Sequence, residues 1–115
     1  TKDKFPIKTI AVPGCEVGED VAFSADNKKW FLSCMGSNAV IIGDAVADKP
    51  VQTVALSVPY PHGITIHEGI DRILTSSTVR ASDMGDAGEA LSIIEASTGK
   101  VLGSVKVSNN SSSVP

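Results

Sequence analysis

The sequence predicts an all-β chain assembled from repeated four-stranded antiparallel units. Three observations carry this. Val, Ile, Thr and Phe crowd short segments, while Gly, Asp, Asn, Lys and Pro crowd the joins between them. Apolar residues alternate with polar ones at period two, as in Ile64-Thr65-Ile66. The chain also matches itself: the pattern of Val21 to Cys34 returns at Gly63 to Ser76, 42 residues later.

The stretch from Tyr60 to Ser76 shows the unit most clearly. Pro61 and Gly63 punctuate its start, Ile64 and Ile66 line one face of a strand, and Ile73-Leu74-Thr75 returns beside it. Glu68-Gly69 supplies the turn, with Gly69 expected to take positive φ. A second match links Ala39–Asp44 with Ala90–Glu95 at an offset of 51, and Val51–Leu56 with Leu102–Val107 keeps that offset. The second copy therefore carries an insertion of 51 − 42 = 9 residues between Ser76 and Glu89. The opening Ile7–Val12 matches Val51–Leu56 at offset 44 and reads as the last strand of a preceding unit. Strands are expected near 19–24, 29–34, 39–44, 51–57, 62–67, 71–77, 89–95 and 101–107, with hairpin turns at Ala47–Pro50 and Ser97–Lys100. No window sustains a helix; the best, Met84 to Glu95, contains Gly85 and Gly88.

Four strands per 42–51 residues is the repeat of a β-propeller blade. The motif Pro61-His62-Gly63-Ile64-Thr65-Ile66, the return Arg72-Ile73-Leu74-Thr75-Ser76 and the run Leu91 to Val101 resemble the propellers with Tyr-Val-Thr-Asn repeats and the related lactonase-like propellers. That family pattern has an aspartate where Glu95 stands and Tyr-Val-Thr-Asn where Ile73 to Ser76 stands. The resemblance implies this organisation: 1–18 as the last strand of a preceding blade and a connector, 19–57 as one blade, 58–108 as a second with an inserted loop at 78–88, and 109–115 as a connector to a further blade. Propellers close with about 4–8 blades. Two blades alone leave apolar faces in water, so three arrangements remain: a piece of a longer assembly, association with copies of itself, or a β-sandwich that pairs its two sheets. The expected partners are further propeller blades, from another chain or from copies of this one. The start at Thr1 reads as a mature form or a fragment.

Net charge is −3 and the ten Lys and Arg residues are scattered, which argues against a nucleic-acid partner. The longest apolar runs, such as Ala39-Val40-Ile41-Ile42, are far too short to span a bilayer. Cys15 and Cys34 fall at the same end of the first blade, where either a disulfide or two buried thiols would fit; a disulfide would point to an extracellular or periplasmic setting.

In the propeller reading, loops between blades and between second and third strands share one face, the usual place for function on a rigid scaffold. His62, Asp20 with Glu19, and the inserted loop bearing Arg80, Asp83 and Asp86 belong to that face. His62 could serve as base or ligand, the aspartates as carboxylates and Arg80 as an anion clamp; the plainer reading is a turn histidine beside a solvated loop. Asp83-Met84-Gly85-Asp86 lacks the carboxylate density of a calcium loop. His67 falls at the opposite face from His62, which argues against a shared zinc site, and no Gly-x-Ser-x-Gly elbow or phosphate loop occurs. Trp30 reads as core or rim packing. The residues thus favour a non-catalytic binding or interaction module without a cofactor. The resemblance implies the alternative, part of a propeller enzyme such as a lactonase-like hydrolase or a dehydrogenase subunit.

Overall fold

The computed structural model describes residues 7, 9–58, 60–79 and 88–108. Its eight strands form two antiparallel sheets. The first contains β1 (Gly18–Phe23), β2 (Lys29–Cys34), β3 (Ala39–Asp44) and β4 (Lys49–Ala55). The second contains β5 (Pro61–His67), β6 (Arg72–Val79), β7 (Gly88–Glu95) and β8 (Val101–Ser108). Each sheet runs in chain order, strand beside successive strand. Among the described residues the only helical turns are short 3-10 turns at Met35–Ser37 and Glu68–Ile70.

The hydrogen-bond register displays the repeat. Lys29 opens β2 opposite Asp44, and Arg72 opens β6 opposite Glu95. The third and fourth strands slip register at Ile42/Gly43 in one sheet and at Ile93/Ile94 in the other, positions 51 residues apart. The first strands bulge at Gly18/Asp20 and Pro61/Ile64. This register sets the offset of the first two strands at 72 − 29 = 43, one more than the sequence match, so the insertion is 51 − 43 = 8 residues. Part of it lengthens a hairpin: Thr78 pairs with Glu89 and Val79 with Gly88, so Gly88 lies in strand rather than loop. Residues 80–87 and 109–115 lie outside the described residues, and with them the inserted loop's centre and the expected connector to a further blade.

Two local expectations need correction. Residues 7 and 9–12 form no strand. A strand needs a neighbour for its N–H and C=O groups, and no described strand lies beside them; instead Val12 and Cys15 pack behind Trp30, Cys34 and Ile41. In the β5–β6 turn the positive φ falls on Asp71 (57°), not on Gly69. The 3-10 turn takes up Glu68 to Ile70, leaving the reversal to Asp71. Aspartate tolerates that conformation, and here its carboxylate accepts from Ser97 N (2.8 Å) and Ser97 Oγ (2.6 Å). The third-to-fourth-strand turns are alike in placing a left-handed residue at Asp48 (57°) and at Gly99 (75°), again 51 apart.

Strand alternation gives each sheet two faces, and one face of each meets the other. Phe31, Val40, Ile42 and Val54 from the first sheet pack with Ile64, Ile73, Ile94 and Ala96 from the second. β5 lies nearest β1 and β2. Sheets that draw together at their first strands are arranged as blades about an axis, rather than as the two evenly spaced layers of a sandwich. The fold is therefore a pair of four-stranded propeller-type blades.

On the far face of the first sheet, Trp30 lies across its cross-strand partner Gly43. A Cβ at Gly43 would sit 1.9 Å from the indole Cε2. The glycine is required by this close approach. Gly43→Ala must displace the indole, and overpacking of this kind costs about 1–3 kcal/mol. A lowered urea midpoint with a shifted Trp30 emission is the expected result; an unchanged midpoint would show that the indole does not rest on Gly43.

Candidate functional site

A bulge re-aims the side chain it carries. Glu19 occupies the bulge of β1 and His62 the bulge of β5, at equivalent positions 62 − 19 = 43 residues apart. The two meet: His62 Nε2 lies 3.0 Å from Glu19 Oε1, with the imidazole side chain 58% exposed. The backbone beneath is tied down from both sides. Ser33 Oγ donates to the His62 carbonyl (2.6 Å), Thr75 Oγ1 donates to the Gly63 carbonyl (2.8 Å), and Gly63 N donates to Ser76 Oγ (3.1 Å). The strand is fixed while the imidazole tip stays accessible.

Asp20 stands beside this pair in a different role. Its Oδ1 accepts from Val21 N (2.9 Å) and its Oδ2 from Ile64 N (3.2 Å), so the carboxylate links β1 to the neighbouring sheet. Arg80, Asp83 and Asp86 lie outside the described residues. The hairpin leading to them leaves the sheet at the end where Pro61 pairs with Ser77, which is His62's end. Sequence reasoning gathered Asp20 and His62 on one face but missed the partnership of Glu19 with His62. The offset of 42 aligns His62 with Asp20; only the register, at 43, aligns it with Glu19. Ser33, which anchors the His62 backbone, carried no sequence signal: the offset of 42 matches it to Thr75, and only the register matches it to Ser76.

The opposite end of the blade pair is built differently. His67 closes β5 there, away from His62. A cleft of 280 Å³ opens between the sheets, lined among others by Ser24, Asp26, Lys28, Phe31, Glu68 and Ser97. Its carboxylates serve the turns. Asp26 Oδ1 accepts from Ser24 Oγ (2.7 Å) and Lys28 N (3.0 Å), and these hydrogen bonds, Ser24's first, hold its carboxyl below the ordinary 3.8. Glu68 Oε2 accepts from Ala25 N across the cleft. The corresponding anchor of the β3–β4 turn is Asp44, lowered in the same sense by the amides of Ala47 and Val46.

Cys15 and Cys34 form a disulfide, their Cα atoms 5.3 Å apart, tying the segment before β1 to the end of β2. Among the described residues no three His, Cys, Asp or Glu side chains gather as a metal site would require, and no helix is long and apolar enough to cross a membrane. At the His62 end the arrangement offers an exposed histidine–carboxylate pair, able to donate and accept hydrogen bonds, on a rigid platform.

No protein-family model and no curated protein matches the chain. Solved structures do. Hydrazine synthase from Kuenenia stuttgartiensis superposes with a TM-score of 0.67 at 18% identity, over 76% of this chain and 24% of that one. Apo AztD from Citrobacter koseri superposes with a TM-score of 0.65 at 14% identity, over 88% of this chain and 27% of that one. The chain thus spans about a quarter of the length of the solved structures it resembles. Both are propeller-type proteins, and at these identities the likeness is one of fold: two adjacent blades, packed as described above.

Proposed function

We propose that the chain is a non-catalytic interaction module, a blade pair that joins further blades and presents its His62 end to a ligand or partner. The observation that carries this is the exposed His62–Glu19 pair on equivalent bulges, at the end from which the lengthened β6–β7 hairpin projects. Bulges and irregular loops on a fixed scaffold are where such folds place recognition. In this reading Arg80, Asp83 and Asp86 extend the same surface, and Asp20 supports it from within. The relationship to the Tyr-Val-Thr-Asn and lactonase-like propellers is part of the proposal and rests on Pro61 to Ser76 and Leu91 to Val101. The disulfide supports an oxidising setting, extracellular or periplasmic.

A photo-cross-linking residue at position 62, compared with one at Val46 on the opposite end, tests the assignment in the source cells. A defined adduct from position 62 and none from position 46 is expected. Equal capture at both ends would remove the assignment. Turnover of an aryl lactone by the chain, abolished by His62→Ala, would replace it with the enzyme reading.

A further inference from the structure

The two sheets are joined through opposite faces of the same repeated unit, and each half of that joint recurs on the far side of the other sheet, where in the first sheet Val12 and Cys15 cover the Trp30 part and leave Val21 and Phe23 open. In the formed interface the second sheet contributes Ile64 and Ile66 from β5 and Ile73 and Thr75 from β6. By register their equivalents in the first sheet are Val21, Phe23, Trp30 and Leu32. These four line the outward face of the first sheet, around a groove of 310 Å³ that Ile10 and Val12 also line; Trp30 is already buried beneath Val12, and Val21 and Phe23 form the open part. Ile64 is 9% exposed where a neighbouring sheet covers it; Val21, in the same place, is 45% exposed and Phe23 54%. The converse holds for the second sheet. Phe31, Val40, Ile42 and Val54 are the first sheet's half of the core. Their equivalents Leu74, Leu91, Ile93 and Val105 lie in register on the outward face of the second sheet, with Val105 52% exposed.

We propose that a second copy of this chain occupies the outward face of the first sheet, docking the outward face of its own second sheet head to tail. The occupant follows from the molecule itself, because the surface that fits Val21, Phe23 and Leu32 is the counterpart of the one that already covers Ile64, Ile66 and Thr75. The new contact continues the existing interface by one repeat. Polar detail is kept at one point: Ser76 stands where Ser33 donates to the His62 carbonyl, and in the docked copy it meets the carbonyl of Glu19. A head-to-tail contact closes into a ring when its rotation divides the circle. Propellers close at about 4–8 blades, which corresponds to about two to four copies. The inference rests on the blade-pair reading of the proposed function and names the partner in it.

Sedimentation velocity on the full chain, with two variants at exposed positions, tests it. Phe23→Glu blocks the first-sheet face and Val105→Glu the second-sheet face; circular dichroism checks that each remains folded. The wild-type chain is expected to sediment as one closed species of two to four copies and each variant alone as a monomer. An equimolar mixture of the variants retains one intact face of each kind and is expected to form a one-to-one pair. A monomeric wild-type chain overturns the proposal. So does an assembly that survives both substitutions, or a mixture that fails to pair, the mark of like faces meeting. Scoring the position-62 cross-link in the Phe23→Glu variant separates this outcome from failure of the His62 surface.

Discussion

Phe31→Ala is expected to destabilise both sheets together, by about 3–5 kcal/mol, the usual cost of removing a buried phenylalanine side chain. Phe31 is 1% exposed and belongs to the core shared by the two sheets. A domain of this size holds only about 5–15 kcal/mol in total, so the variant approaches the limit of folding at ambient temperature. The cavity opens on the face that supports Ile64, Ile73 and Ile94, so the second sheet loses packing although the substitution lies in the first. Urea unfolding followed by Trp30 emission, which reports on the first sheet, and by amide exchange on β5 to β7 checks this. Coincident shifts are expected. Protection retained on β6 and β7 while the first sheet unfolds would show that the two sheets do not share a core.

Loss of the Cys15–Cys34 bond is the second large effect expected. The cysteines are 19 residues apart, and closing a loop of about that length in the unfolded chain corresponds to about 3 kcal/mol in the chain-entropy account. Reduction should therefore lower the unfolding midpoint of the wild-type chain, and the double variant Cys15→Ser, Cys34→Ser should start at the lowered midpoint and ignore reductant. The bond also holds the segment before β1 behind β2, where Val12 and Cys15 help to cover Trp30 and Ile41. The lost stability should accordingly come with a redder Trp30 emission. An unchanged midpoint on reduction would mean that packing alone fixes this segment.

The strands of both blades were legible in the sequence because a half-buried strand writes its alternation directly into residue order, and two copies of one pattern reinforce each other. Paired neighbours were not legible where the pattern lacked a partner. Ile7–Val12 has the composition of a strand, yet a strand exists only beside another. Turn detail failed where two residues competed for one role: glycine was the obvious carrier of positive φ at Gly69, but a 3-10 turn moved the reversal to Asp71, whose carboxylate bonds Ser97 in return. The site was half legible. Its end of the blade followed from loop order, but the meeting of Glu19 with His62 depends on bulges that shift register by one residue, and bulges leave no period in the sequence. Asp20 is a candidate by residue type and position, and its bond from Ile64 N, which braces the two sheets, has no signal in the sequence.

The two sheets are blades drawn together at their first strands. Distances between spin labels at equivalent positions test it most directly, with labelled chain diluted in unlabelled chain so that only distances within one molecule contribute. One pair is placed at Glu19 and His62 on the first strands, the other at Val51 and Leu102 on the last. Strong dipolar broadening is expected for the first pair and a clearly longer distance for the second. Equal separations at the two edges would describe evenly spaced layers and contradict the blade arrangement.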